Sequence, residues 1–270
     1  MVEFSKYFSL LKFSIIHPKE GMDMLTAARQ SHEDVKQNIT EHTADTVGLE
    51  ETLIQFFPNN ELTKDRLIQN TKELTTHLKN YFEKMRDEKF PSKKKPYPTD
   101  YSINEDSRLF LYALCKIIKP EIVVETGVAY GISSAYILQA LHENDKGTLY
   151  SIDNVFKPWE SRKMIGNAIP KNLQNRWKLT VGTSSEKLEK IFQSIEKADI
   201  FLHDSLHTYK NMLFEFQTSW SFIKNNGFLL SDDILDNNAF LEFYSSNNGK
   251  PILLENTKDA KIILGVLRKN

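Results

Sequence analysis

The residues best equipped for chemistry in this chain are aspartates and histidines that follow short apolar runs. Asp153 follows Gly147 to Ile152, His203-Asp204 follows Ala198 to Leu202, and Asp232-Asp233 follows Phe228 to Leu230, with His207 one turn beyond Asp204. Carboxylates gathered in this way repel one another in a low dielectric unless a cation or a proton joins them. Their hard oxygens suit Mg2+ or another oxygen-preferring divalent ion, which makes Asp204, Asp232 and Asp233 the candidate metal ligands. A histidine titrating near neutrality beside them has the properties of a general base, with His207 the first candidate and His203 its competitor. Asp153 offers two acceptor oxygens at a separation that matches the paired hydroxyls of a ribose.

A further stretch places a ligand beside these groups. Ile122 to Val124 is a β-branched run, followed by Glu125-Thr126, a Gly127-x-x-x-Gly131 turn and a helix-forming segment from Ile132 to Leu141. This pattern predicts a buried strand, a glycine turn and a helix N-terminus, where free N–H groups and the helix dipole face the same space. Ser133 and Ser134 stand at that terminus as caps or donors.

The elements that must hold these groups alternate. Ser107 to Ile118 predicts a helix, and five strand-then-helix units follow: strands at Ile122 to Val124, Gly147 to Ile152, Trp177 to Val181, Ala198 to Leu202 and Phe228 to Leu230. The alternation predicts a parallel sheet with helices on both faces, whose ligands lie beyond the carboxyl ends of the strands. The third strand ends in Gly182-Thr183-Ser184, where Thr183 and Glu186 fit a capping box. The helix before Gly227 carries Tyr209, Leu213, Phe216, Trp220 and Ile223 on one stripe. The tail differs: Pro251 to Leu254 and Lys261 to Leu267 are too close for a helical crossover and are expected to form an antiparallel hairpin.

Residues 1–100 read as a separate helical accessory region that acts as a lid or builds a homodimer. Phe4, Phe8, Leu11 and Ile15 predict an amphipathic helix ending before Pro18, and Met22 to Thr43 a second, partly exposed one. Glu50 to Phe57 predicts a short helix, and Glu61 to Arg86 one long helix whose seam runs through Leu67, Thr71, Leu74, Leu78, Tyr81 and Met85. Pro91, Pro96, Pro98 and Lys93-Lys94-Lys95 mark 90–100 as an extended linker. The three early histidines, His17, His32 and His42, share no ligand spacing.

Composition narrows the classes. The formal net charge is -1, so no general attraction to nucleic acid is expected. The single cysteine, Cys115, sits in an apolar helical context, which excludes a disulfide within the chain and a cysteine metal cage. No apolar run is long enough to span a bilayer and the N-terminus lacks a signal-peptide pattern, so a cytoplasmic location is expected.

Taken together, Val-Val-Glu-Thr-Gly-Val-Ala-Tyr-Gly, Leu-Tyr-Ser-Ile-Asp, Phe-Leu-His-Asp-Ser-Leu-His-Thr-Tyr and Gly-Phe-Leu-Leu-Ser-Asp-Asp resemble the class I S-adenosylmethionine-dependent methyltransferases. Within them the closest likeness is to the small-molecule and sugar O-methyltransferases related to the macrocin and catechol enzymes. The resemblance covers residues 101–270. It implies a Rossmann-like, seven-stranded α/β sheet with an antiparallel C-terminal hairpin, and S-adenosylmethionine as methyl donor. By position, Glu125, Gly127, Ala129, Gly131 and Ser133 match the cofactor loop, Ala129 standing where the family's middle glycine is common. Asp153 matches the ribose acid, and Gly182, Thr183 and Ser184 the adenine site. Asp204, Asp232 and Asp233 match a metal site in the catechol-type relatives, whose third ligand is typically an amide. Asp204 also borders the cofactor, and His207 matches the base. Tyr130, Trp159 and Tyr209 are candidate pocket aromatics. The acceptor would be a small-molecule or sugar hydroxyl. Two rival readings are a nicotinamide-dependent oxidoreductase, whose Gly-x-Gly-x-x-Gly the loop does not provide, and a non-catalytic nucleoside-binding module.

Overall fold

The structure is a computed structural model and describes residues 2–99, 103–255 and 263–270. Its helices are α1 (Val2–Ile16), α2 (Pro18–Asp34), α3 (Leu49–Phe56), α4 (Lys64–Asn70), α5 (Lys72–Glu83), α6 (Glu105–Ile118), α7 (Ile132–Glu143), α8 (Ser184–Ile195), α9 (Tyr209–Trp220) and α10 (Ala239–Ser246). The strands are β1 (Thr46–Val47), β2 (Ile122–Thr126), β3 (Thr148–Asp153), β4 (Trp177–Val181), β5 (Ala198–His203), β6 (Ile223–Ser231), β7 (Ile252–Glu255) and β8 (Ile263–Arg268).

The strands form one sheet in the order β1-β7-β8-β6-β5-β2-β3-β4. β3, β2, β5 and β6 run parallel, with Val124 opposite both Tyr150 and Phe201, and β8 lies antiparallel to β6 and β7. The order reverses between β2 and β5, because the chain runs outward from β2 through β3 to β4 and then returns to β5 on the other side of β2, which puts the ligand crevice above Gly127 and Asp204. The expected antiparallel ending is present, although its connection, including Lys261, lies outside the described residues. The expected strand count is corrected from seven to eight. The extra strand, β1, pairs with β7 through two residues only, and Leu253 donates its N–H to the Asp45 carbonyl. A two-residue strand shows no alternation for a sequence to display.

Adjacent side chains of a strand go to opposite faces, and here they enter two cores. Val123 packs with Leu53, Leu67, Leu74, Phe110 and Leu138 from α3 to α7, and Val124 packs with Phe192, Phe216 and Phe240 from α8 to α10. Helices α3 to α5 of the accessory region therefore share the apolar core of one sheet face. The long helix expected over Glu61 to Arg86 is corrected to two, because Thr71 at the break turns its hydroxyl back onto the Leu67 carbonyl at 2.9 Å. The linker is also more ordered than its prolines suggest, since Tyr97 is buried against Tyr130 with ring centroids 5.1 Å apart.

α1 and α2 lie against one another, with Gly21 so near Ser14 that a Cβ there would approach the Ser14 Cβ to 2.7 Å. The apolar stripe of α1 faces outward: Phe8 is 71% and Ile15 74% exposed. Among the described residues no helix is long and apolar enough to cross a membrane.

Candidate active site

The loop after β2 is fixed by its packing. Gly127 has φ +83°, and a Cβ there would lie 1.7 Å from the Asp204 carbonyl oxygen. Gly131 has φ +88°, and its Cβ would meet Ile169 at 2.7 Å. Both glycines are required by left-handed backbone and by close protein neighbours, and Gly127 brings the loop into contact with the Asp204 backbone. Ala129 between them also takes a left-handed φ of +47°. α7 begins directly after Gly131. The N–H groups of Ile132, Ser133 and Ser134 have no backbone acceptor among the described residues, as the first turn of a helix leaves them. That terminus suits the carboxylate end of an amino-acid ligand.

Asp153 closes the loop from the β3 side. Its Oδ2 accepts the N–H groups of Val128 at 3.1 Å and Ala129 at 2.8 Å, and its Oδ1 accepts that of Asn154 at 2.6 Å. Burial pushes its carboxyl up to about 6 despite these bonds. Glu125 lies deeper, fully buried under α7, and accepts hydrogen bonds from Ser134 and from Ser151 at 2.7 Å, with the Ser133 hydroxyl at 3.5 Å. Burial pushes Glu125 up to about 8, so it is neutral at pH 7 and supports the loop from below. Gly182 and Thr183 border the β4 end, while the Ser184 hydroxyl is buried and donates to Asn211 Oδ1 at 3.1 Å. The capping box expected here is not formed: the Thr183 hydroxyl meets Ser185 at 3.0 Å, and Glu186 is drawn away to Lys19 of α2 at 2.7 Å.

The second group gathers where β5 and β6 end. His207 Nδ1 bonds Asp233 Oδ2 at 2.8 Å, and its Nε2 stands 3.6 Å from Asp204 Oδ1 with no hydrogen-bond partner among the described residues. Burial pulls the His207 pKa down, but the carboxylates of Asp204 and Asp233 outweigh it and hold the ring well above its ordinary value. Asp233 is correspondingly held below the usual carboxylate range by His207. Asp232 is buried, and desolvation together with Asp204 and Asp233 raises it well above that range.

The three aspartates expected to hold a metal ion, Asp204, Asp232 and Asp233, meet at this rim. Among the described residues no three histidine, cysteine, aspartate or glutamate side chains are placed to hold a metal ion. The physical reason is that the His207 ring sits between Asp204 and Asp233 and supplies the positive charge there, while Asp232 is driven toward its neutral form.

His203 proves to be part of a different assembly. It is fully buried, and its Nδ1 bonds Glu215 Oε2 at 2.6 Å. Glu215, fully buried on α9, also accepts from Thr126 at 2.5 Å, Ser205 at 2.8 Å and Asn211 at 3.1 Å. Despite burial, which raises it, His203 together with hydrogen bonds from Ser184 and Thr126 holds its carboxyl below the ordinary value. One carboxylate thus ties the ends of β2 and β5 together, immediately beneath Gly127 and Asp204. Periodicity placed Tyr209, Leu213 and Phe216 on the buried stripe of α9 and gave no signal for an acid among them.

The accessory region reaches the same rim. Thr208 donates to Gln30 Oε1 at 2.7 Å, the Tyr209 N–H to Asp34 Oδ2 at 2.8 Å, and Lys210 pairs with Glu33 at 2.7 Å. Between the end of α2 and His207 lies a cleft of about 370 Å³ lined by Ser31, Asp34, Val35, Gln37, Thr208 and Asp236. Tyr130 is buried behind the loop, and Tyr209 bonds Glu242 at 2.6 Å, so neither lines this cleft.

The sheet, parallel with an antiparallel C-terminal hairpin, has the Rossmann-like methyltransferase fold. Residues 124–234, which carry Glu125, Asp153, Asp204, His207 and Asp233, match the family described as methyltransferase domain. Among solved structures the chain is similar to an O-methyltransferase from Bacillus cereus in complex with S-adenosylhomocysteine. That likeness has 14% identity and a TM-score of 0.52, and covers 82% of this chain and 100% of the other. It is also similar to the O-methyltransferase TomG from Streptomyces achromogenes, involved in tomaymycin synthesis and solved with S-adenosylmethionine. There the identity is 12% and the TM-score 0.51, with 83% of this chain and 100% of the other covered. No curated protein matches the sequence.

Proposed function

We propose that the protein transfers the methyl group of S-adenosylmethionine to a hydroxyl of a small polar acceptor, with His207 as general base. The observation that carries this reading is the pairing of His207 Nδ1 with Asp233, which leaves Nε2 unpartnered opposite Asp204. That is the arrangement of a histidine oriented by a carboxylate, with its second nitrogen turned toward the site. Asp153 and the α7 N-terminus suit the ribose and amino-acid ends of the donor, and the cleft beside His207 suits the acceptor. Its lining sets Ser31, Asp34, Gln37, Thr208 and Asp236 beside Val35 and Ile39, a mixed surface that suits a small acceptor carrying both hydroxyl groups and apolar carbon.

The transfer is an in-line displacement: the acceptor oxygen forms a bond to the methyl carbon as the carbon–sulfur bond breaks, and the electron pair stays on sulfur. His207 takes the hydroxyl proton, so its ring must first release the proton that Asp204 and Asp233 hold on it. A sulfonium arriving at the same rim opposes the imidazolium charge and favours that release. The rest of catalysis is alignment. The apolar stripe of α1, exposed at Phe8, Leu11 and Ile15, supports the further reading that two copies pair through their N-terminal helices.

The test is transfer of labelled methyl from S-adenosylmethionine to a panel of glycosides and other hydroxylated metabolites. Label in an acceptor from the wild type and not from His207→Ala supports the reading. Failure to bind either S-adenosylmethionine or S-adenosylhomocysteine overturns it.

A further inference from the structure

We infer that Tyr97 binds the nucleoside of the methyl donor, its phenol hydroxyl donating a hydrogen bond to it. The inference rests on the donor reading above, but Tyr97 belongs to the proline- and lysine-rich connector, outside the matched domain. Its position is set by the loop that Asp153 also holds. The Tyr130 hydroxyl donates to the Tyr97 carbonyl at 2.9 Å and accepts from its N–H at 3.4 Å, and the two rings meet edge to face. Phe82 packs edge-on against the same Tyr130 ring at 5.4 Å. The Tyr97 ring is therefore anchored on both its backbone and its face, against the Gly127–Gly131 turn.

The hydroxyl itself is unused. Tyr97 is 8% exposed, and no described residue partners its oxygen. A buried tyrosine hydroxyl ordinarily finds a partner, and phenylalanine would serve the ring packing alone. Besides burial, the charges that act on this hydroxyl are the carboxylates of Asp153 and Glu160, both of which keep it protonated. Glu160 is already committed, its Oε2 accepting the N–H groups of Phe156 and Lys157 at 3.1 and 3.2 Å. Two carboxylates beside a neutral donor disfavour an anionic ligand. They suit a neutral group that both donates and accepts, as ribose hydroxyls and adenine nitrogens do.

Tyr97→Phe keeps the ring and removes the donor. Binding of S-adenosylhomocysteine and of 5′-methylthioadenosine, which lacks the amino-acid end, is measured by titration calorimetry, with the melting temperature of the free protein as control. One lost hydrogen bond predicts affinity weaker by about fivefold, within a range of roughly threefold to tenfold, for both ligands and an unchanged melting temperature. Wild-type affinity in the variant overturns the inference while leaving the donor reading intact. Loss with S-adenosylhomocysteine alone overturns the nucleoside assignment by moving the contact to the amino-acid end. A wild type that binds neither ligand removes the donor reading and this inference with it.

Discussion

Glu215→Gln probes the support on which the site stands. The glutamate and His203 are both fully buried and 2.6 Å apart, and three further donors, Thr126, Ser205 and Asn211, converge on the same carboxylate. Glutamine keeps the volume but turns an NH2 group toward donors and removes the carboxylate on which they converge. Breaking a buried pair from one side costs about 3–5 kcal/mol, far more than the pair contributes relative to an apolar substitute. For a chain of this size each kcal/mol lowers the melting temperature by roughly 2–3 °C, so a fall of about 6–15 °C is expected. Differential scanning calorimetry reads the fall. S-adenosylhomocysteine affinity, measured well below the new melting temperature, should weaken as well, because Thr126 and Ser205 flank Gly127 and Asp204. The acid slope supplies a second check. Glu215 is held below its ordinary value in the folded state, so its contribution is complete above the unfolded value and is lost as pH falls through the folded one. The variant should lack that acid-side loss. A melting temperature within 2 °C of wild type at neutral pH would refute the clamp.

Other consequences are open to direct measurement. Glu125 is pushed up to about 8, so between its ordinary range and that value the folded protein keeps a proton the unfolded chain has released, and stability falls as pH rises. Glu125→Gln should flatten the melting temperature between pH 6 and 8; an unaltered slope contradicts the assignment. Because Asp204 and Asp233 hold a proton on His207, methyl transfer should rise with pH above the ordinary histidine range, and Asp233→Asn should move that rise to lower pH. A rise at the same pH in both proteins would exclude His207 as the titrating group. His207→Ala should cost about 10²–10⁴-fold in rate with donor affinity little changed, as read by single-turnover transfer of labelled methyl. Leu67→Ala, in the fully buried face of α4, should cost about 2–5 kcal/mol by chemical denaturation, and a cost under 1 kcal/mol would mean that α4 does not share the sheet's core.

The parallel strands, their order of chemistry and the antiparallel tail were legible because each depends on local pattern. β-branched residues at Ile122 to Val124, a glycine pair at the turn and an acid at four of the five expected strand ends are visible without tertiary contacts. What escaped depends on contacts between distant segments. Glu215 reads as a surface acid until β2 and β5 deliver Thr126 and His203 to it. Tyr97 reads as linker because Tyr130, its partner, is far along the chain. The capping box at Thr183 lost Glu186 to Lys19 of α2, a competition that local spacing does not display. The three aspartates at the ends of β5 and β6 were visible, but the position of His207 between two of them follows from the turn after Asp204. Ala129 was noted as a departure from glycine, and its left-handed backbone shows that the turn kept its shape without the residue that adopts it most readily.

The central claim, that one rim of the sheet holds the donor over Gly127 and presents its methyl toward His207, is tested most directly by a crystal structure with S-adenosylhomocysteine. The account predicts the adenosine above the Gly127–Gly131 turn, ribose hydroxyls on Asp153, and the sulfur facing the cleft at His207. A ligand bound elsewhere, or one whose ribose leaves Asp153 untouched, would contradict it.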